Sequence, residues 1–223
     1  MGRVSTGMKR MDKLIEGGFP SSTVILVSGG PGGGKTLFSL NYLLEGARKK
    51  EKCCYISLNE SKEEILRAAK GIESMKDISK HIDKTLLVED ISLGENISMK
   101  KFVHIISKYP KIDRLVIDDV NKLLVFSQSD KDYRVKLSDL VRSLKTMGCT
   151  LLLCETRDGE IDTGNGEAFE ADGVLHFTFL DVEEKPKRII EIHKMRYTSF
   201  DPKVGHNLRI TPKGIDLGNS KVI

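Results

Sequence analysis

The sequence predicts an α/β fold: a mostly parallel, twisted sheet with helices on both faces and an antiparallel extension at the C-terminal end. Three observations carry that prediction. Apolar runs at Thr23–Val27, Cys53–Leu58, Thr85–Glu89, Arg114–Asp119 and Thr150–Cys154 alternate with segments whose apolar residues recur at helical spacing. The runs are nearly continuous in Val, Ile, Leu and Cys, as strands covered on both faces must be. Beyond residue 172 the pattern changes to two stretches, Gly173–Leu180 and Arg188–Met195, joined across an acidic turn at Asp181–Glu184, which reads as an antiparallel hairpin.

The elements follow in order. Ser5 and Thr6 are placed to cap a short helix with Met8, Met11, Leu14 and Ile15 as its apolar stripe, and Gly17-Gly18 ends it. Phe19-Pro20 leads into the first core strand. Leu37, Leu40, Leu43 and Leu44 form the buried face of the next helix, which runs to Lys49-Lys50. Ser61 followed by Glu64 has capping-box spacing ahead of a helix around Ile65–Ala69. Gly71–Lys84 is irregular, with helical character around Ile78–Ile82. Phe102, Val103, Ile105 and Ile106 mark a helix over Lys100–Tyr109 that Pro110 ends. A longer helix is expected from about Lys131 to Met147, with Tyr133, Leu137, Leu140, Val141 and Leu144 inward. Arg157–Glu167, rich in Gly and Asp, reads as a surface loop. Strands at Leu208–Ile210 and Ile215–Leu217 complete the pattern. Without internal repeats or linkers, residues 1–223 read as one domain.

Composition narrows the function classes. Hydrophobic content of 39% and charged content of 30% are ordinary for a globular chain. A net charge of +4 is too small to argue nucleic-acid binding. No apolar run approaches the roughly 20 residues that span a bilayer, and Met1-Gly2-Arg3-Val4 opens no signal-peptide pattern, so a cytoplasmic location is expected. Cys53, Cys54, Cys149 and Cys154 lie in or beside apolar runs without C-x-x-C spacing and are expected as reduced core thiols. The five histidines show no metal-ligand spacing.

The chemistry starts at Gly29-Gly30-Pro31-Gly32-Gly33-Gly34-Lys35-Thr36, which fits G-x-x-x-x-G-K-[ST] between a strand and a helix. Glycines let consecutive N–H groups point inward at phosphate oxygens, and the helix that follows adds its positive end. Gly30, Pro31, Gly32, Gly33, Gly34, Lys35, Thr36 and Leu37 are the expected nucleotide-binding residues. Lys35 would reach the β- and γ-phosphates and the Thr36 hydroxyl would ligate Mg²⁺. In open α/β sheets ligands sit beyond the carboxyl ends of strands, which draws attention to Asn59-Glu60, Asp118-Asp119 and Glu155-Thr156-Arg157. Asp118, closing Leu115-Val116-Ile117, is the expected Mg²⁺-orienting carboxylate. For Asp119, helix capping and a supporting role at the metal stay open.

Here the sequence acquires a family likeness. Ser5-Thr6-Gly7, Gly17-Gly18-Phe19-Pro20, the glycine-rich loop, Phe169-Glu170-Ala171-Asp172-Gly173-Val174, Lys194-Met195-Arg196 and Ile210-Thr211-Pro212-Lys213-Gly214-Ile215 together resemble the KaiC-like branch of the RecA superfamily of P-loop NTPases. The resemblance covers essentially the whole chain. It implies a RecA-type core with strand order 5-1-4-3-2, and ATP bound at subunit boundaries of a ring, commonly a hexamer. It also implies a Lys-x-Arg motif that reaches the neighbouring subunit's nucleotide. On that basis Arg196 is nominated as an arginine finger with Lys194 as its companion. A solvated basic strand edge, or a surface for nucleic acid or an acidic partner, are the alternatives for this segment.

The chain departs from the family in three places. Hydrolytic members resemble one another in an adjacent Glu-Glu pair after the second strand, one acting as general base, and the matching residues here are Asn59-Glu60. If Glu60 serves as the base, activity survives; if the first position carries it, hydrolysis is slow. Tyr197 stands where Gly often follows Lys-x-Arg. Ala168-Phe169 replaces the hydroxyl-bearing phosphoacceptors of the clock kinase domain. Three functions are therefore weighed. The first is a slow, Mg²⁺-dependent, oligomeric ATPase acting as a regulatory switch on ATP/ADP. The second is a nucleotide-sensing protein that hydrolyses negligibly. The third, ranked lowest because the loops Val125–Lys131 and Arg157–Glu167 are not basic, is a recombinase-like DNA-binding ATPase.

Overall fold

The computed structural model describes residues 2–91, 102, 104, 106, 111–157, 159–182 and 185–222. It opens with β1 (Arg3–Val4), α1 (Lys9–Leu14) and β2 (Phe19–Pro20), the two strands pairing antiparallel as a small separate sheet. The core alternates β3 (Val24–Gly29), α2 (Lys35–Arg48), β4 (Cys53–Ser57), α3 (Lys62–Lys70), β5 (Leu86–Asp90), β6 (Arg114–Asp118), α4 (Asp130–Leu144) and β7 (Cys149–Glu155). A one-turn α5 (Glu167–Glu170) precedes β8 (Gly173–Val182), β9 (Lys185–Met195), β10 (Gly205–Thr211) and β11 (Gly214–Val222).

These last strands join the core in one nine-stranded sheet of order β11-β10-β9-β8-β3-β7-β6-β4-β5. The six strands from β8 to β5 pair parallel and β9, β10 and β11 pair antiparallel. Within it, β8-β3-β7-β6-β4 is the expected 5-1-4-3-2 order. β5 is an addition, a sixth parallel strand outside β4. The alternation predicted from apolar runs holds because the central strands β3, β4, β6 and β7 bury both faces. Ile25 and Val27 pack into one apolar cluster with α1, α2 and α3, while Val24 and Leu26 pack into another with α4. Helices therefore cover both faces, as predicted.

Local chemistry explains most boundaries. Ser61 and Glu64 form the predicted capping box, and Ser129 caps α4 through the Asp132 N–H. Ser5 and Thr6 do not cap α1. The residue before the helix is Met8, without a side-chain cap, and the two hydroxyls instead bind the Asp12 carboxylate at 2.7 Å each. Ile78–Lys80 and Glu73–Met75 are short 3-10 turns. Of the helix expected over residues 100–109 only Phe102, His104 and Ile106 fall within the described residues; Phe102 and Ile106 are buried. The four cysteines are unpaired and buried, as expected. Among the described residues no helix is long and apolar enough to cross a membrane.

One buried charge ties the N-terminal segment to the core. Arg114, the first residue of β6, is 1% exposed. Its guanidinium donates to the Glu51 carboxylate and to the carbonyls of Ser5 and Tyr42, and lies 4.7 Å from the Tyr42 ring centroid. Gly46 leaves the room: a Cβ there would come within 2.5 Å of Arg114 Cδ. Removing this buried charge leaves the Tyr42 carbonyl without its donor and the part-buried Glu51 without its ion pair. Arg114→Met should therefore lower the unfolding free energy by about 3 kcal/mol, read from urea denaturation midpoints at unchanged m-value.

Candidate functional site

β3 is hydrogen-bonded on both sides up to its last residue, with Gly29 opposite Glu155 of β7 and Phe177 of β8. A Cβ on Gly29 would run into the Phe177 carbonyl, so only glycine can occupy this exit from the sheet. The loop then turns through Gly32 (φ 75°) and Gly34 (φ 104°), and Gly34 starts α2. A Cβ on Gly34 would also lie 2.7 Å from Ile210 Cδ1 of β10. The first turn of α2 carries no acidic residue, so its free N–H groups and positive end face the loop uncompensated.

Lys35 folds back over this loop, donating to the carbonyls of Gly29 at 2.7 Å and Gly30 at 2.8 Å. Burial pulls its ammonium below the usual lysine range, opposed by the charges of Glu155, Asp118 and Asp119. Asp118 ends β6 beside it. The buried Tyr55 of β4 donates its hydroxyl to Asp118 Oδ2, and the Thr36 hydroxyl meets the same tyrosine oxygen. Tyr55 thus holds together the two side chains expected to face a metal. Burial raises the Asp118 carboxyl, and the Tyr55 hydrogen bond works against that rise.

Neighbouring strands bring three further acids. Glu60 follows β4 in a turn whose Asn59 and Glu60 N–H groups both donate to Ser57 Oγ. Partial burial raises its carboxyl, and the charges of Asp118 and Glu64 add to this. Asp119 accepts from the Asn121 N–H at 3.0 Å, so it caps the 3-10 turn after β6. Its carboxyl also faces the site, where burial and then Asp118 push it up to about 6. Glu155 closes β7, its N–H donating to Asn121 Oδ1. From the antiparallel side Arg188 of β9 donates to the Gly32 carbonyl at 2.9 Å and lies over the Phe179 ring.

Pro31, Gly32, Gly34, Lys35, Thr36, Leu37, Asn59, Glu60, Asp118 and Arg188 line one cavity of ≈ 370 Å³, with Asp119, Glu155 and Ile210. Gly30 and Gly33 shape the turn behind it. Of the expected site residues up to Asp118, all but Gly30 and Gly33 line this cavity. Lys194 and Arg196 do not. β8 runs parallel to β3 and Gly173 pairs with Met195, which puts this motif at the other end of the sheet. Lys194 Nζ donates to the carbonyls of Ala168, Phe169 and Ala171, and burial lowers its pKa, with Arg196 second. Arg196, half exposed, reaches Asp172 Oδ1 at 3.4 Å. Tyr55, Arg188 and Ile210 were not singled out from the sequence. Arg188 left only a weak signal: it lies six residues before Lys194 on a strand rich in charged residues.

A model of the KaiC ATPase family matches residues 4–222. The chain belongs to the KaiC ATPase family. A UPF0273 protein of Pyrococcus horikoshii is 28% identical over 239 residues, covering 99% of this chain and 96% of its own length. The circadian clock oscillator protein KaiC of Prochlorococcus marinus is 31% identical over 214 residues, covering 88% of this chain but 41% of the clock protein. A crystal structure of a KaiC-like protein from Pyrococcus horikoshii superposes with a TM-score of 0.80 at 27% identity, over 97% of this chain and 99% of that one. Nucleotide binding and an ATPase-type fold are thus shown at the level of the family.

The residues in the cavity fit the groups a KaiC-like ATPase takes. The loop is a cradle with no Cβ in its way, and Lys35 now holds loop carbonyls that a phosphate would replace. A hydroxyl and a carboxylate at Thr36 and Asp118 are the hard oxygen donors Mg²⁺ prefers. Among the described residues no group of three or more His, Cys, Asp or Glu forms a separate metal cluster. Tyr55→Phe should leave Asp118 and Thr36 unanchored. A hydrogen bond to a charged group contributes about 1.5 kcal/mol or more, so the Mg²⁺ concentration for half-maximal binding of a fluorescent ATP should rise about tenfold. Binding in EDTA should be unchanged.

Proposed function

We propose that the chain is a Mg²⁺-dependent ATPase of slow turnover that works as an oligomeric switch between ATP- and ADP-bound states. The observation that carries this reading is Glu60, a carboxyl with a raised pKa in the same cavity as Lys35, Thr36 and Asp118. In this reading Glu60 accepts the proton of the attacking water as its oxygen bonds to the γ-phosphorus and the bond to ADP breaks. Lys35 and the loop N–H groups hold the β- and γ-phosphates, and Arg188 closes the site from β9. Thr36 and Asp118 hold Mg²⁺, which when bound neutralises phosphate charge. Asn59 gives the base no second carboxylate neighbour on its own turn, which supports slow turnover.

Lys194 and Arg196 act in trans in this proposal. Their place at the far end of the sheet removes them from their own phosphates, so a finger role requires a second copy, in the family's hexameric arrangement. Residues 1–223 act as one domain, supported by the shared nine-stranded sheet. Unpaired buried thiols suit a cytoplasmic setting. The second reading, a sensor that binds ATP without hydrolysing it, is favoured by one observation, the Asn59 side chain in the cavity.

Phosphate release and light scattering with ATP and Mg²⁺ separate the two. Glu60→Gln should reduce release by about a hundredfold or more, and Asn59→Glu should raise it. Arg196→Ala should reduce release by about a thousandfold without changing ATP affinity, and mixing it with Glu60→Gln should restore part of the activity if sites are shared. Release at background for the wild type and Asn59→Glu, with ATP still bound, leaves the sensor reading.

A further inference from the structure

We infer that a groove beside α3 docks an acidic, amphipathic segment of a partner protein, and that nucleotide binding controls it. The groove, ≈ 570 Å³, lies between α3 and the 3-10 turns that follow. The partly buried Leu66 and Ile82 provide an apolar floor, with the buried Met75 and Ile78 beneath them. Around it stand Arg67, Lys70 and Lys76, all exposed, with Lys62 and a single acid, Glu63.

Charge decides what fits. Of the neighbouring acids, Asp77 is paired with Arg48 and Asp83 with Lys62 at 3.0 Å. Glu64, bound to the Ser61 cap, offsets part of the Arg67 charge, and the exposed Glu73 lies outside the groove lining. Among the residues that line the groove, Arg67, Lys70 and Lys76 outnumber Glu63 and present an excess of positive charge around apolar ground. An amphipathic helix with two or three large apolar residues at i, i+3 and i+4 spacing, flanked by Asp or Glu, complements that pattern. The apolar contacts supply affinity and the rim charges supply selection and orientation. A basic segment is repelled, and a purely acidic one leaves the floor uncovered.

Both walls lead to the nucleotide cavity by short covalent and hydrogen-bonded routes. α3 begins two residues after Glu60, with its cap at Ser61. The opposite wall is tied to the β10–β11 turn, since the N–H groups of Glu73 and Ser74 donate to the carbonyls of Pro212 and Lys213 at 2.7 and 3.1 Å. Two residues earlier on that strand, Ile210 packs against Gly34 of the phosphate loop. A change at Glu60 or at the loop thus moves one wall or the other. This coupling rests on the nucleotide reading of the cavity; the docking itself does not.

The test is selection from a phage-displayed library of random peptides of roughly 14 residues, long enough for an amphipathic helix, against the full chain. Counter-selection uses Arg67→Glu/Lys70→Glu. ATP binding of this variant should match the wild type, since neither residue touches the cavity. Thermal melting should fall only modestly, because two basic residues of the last turn of α3 are reversed. Selected peptides should be rich in Asp and Glu around Leu, Ile or Phe. A fluorescein-labelled synthetic copy should bind the variant about tenfold more weakly or worse, and a copy with Lys in place of Glu should regain affinity for the variant. Peptides without acidic enrichment, equal binding to the variant, or equal binding of a scrambled acidic copy would overturn the docking proposal. So would loss of self-association in the variant, which would assign the groove to a second copy. Affinity should differ about threefold or more between ATP- and ADP-loaded protein. Peptide binding that ignores bound nucleotide would overturn the control alone, and failure of ATP binding would instead remove the nucleotide reading.

Discussion

The site depends on one constraint: the phosphate loop leaves the sheet from a strand that is still paired on both sides. Gly29 is held between Glu155 and Phe177 when the chain turns away. That pairing sets the loop's position against every strand end around it. β7 places Glu155, β6 places Asp118 and β4 places Glu60, in the order in which the strands leave β3. On the other side β8 leads into a hairpin with β9, so a basic residue returns toward the loop and Arg188 binds Gly32. Parallel pairing makes the acids converge at one edge, and the switch to antiparallel pairing brings the cation.

Electrostatics then shapes the cavity. Glu60, Asp118, Asp119 and Glu155 face Lys35 and Arg188, four carboxyls against two cations. Glu60, Asp118 and Asp119 are all raised, burial being the first cause each time. A bare triphosphate adds more negative charge to such a place, whereas a divalent cation relieves both the acids and the phosphates. The hydrogen bond donated by Tyr55 favours the charged form of Asp118 against the effect of burial. A phenylalanine at this position would pack as well but would leave Asp118 without that support.

Much of this was legible in the sequence, for identifiable reasons. The strands were readable because burial on two faces demands unbroken apolar runs, and the loop because its glycines and Lys35-Thr36 are contiguous. Asp118 was readable because it ends an apolar run. Strand β5 was seen, but not its place outside β4, since edge or centre is decided by pairing rather than by composition. Ser5 and Thr6 look like caps, yet Asp12 takes both hydroxyls one turn further on. Tyr55 was hidden because its ring is an ordinary core residue in an apolar strand, and only the fold brings its hydroxyl to Asp118. Arg188 was hidden for a related reason: its partner, Gly32, lies 156 residues away.

At the end of the sheet opposite the phosphate loop, a single carboxylate gathers three donors. Asp172, 2% exposed, accepts from the Val24 N–H at 3.1 Å, where the phosphate-loop strand begins. Its other oxygen accepts from Lys145 at 2.8 Å and from Arg196 at 3.4 Å. The three contacts are unequal. The backbone bond and the Lys145 pair are short, while the Arg196 contact is long and half exposed, worth little in water. A guanidinium drawn toward another copy's phosphates would leave Asp172 paired and Val24 in register. The strand that carries the phosphate loop is thus anchored independently of Arg196, and the arginine is held only loosely where it lies.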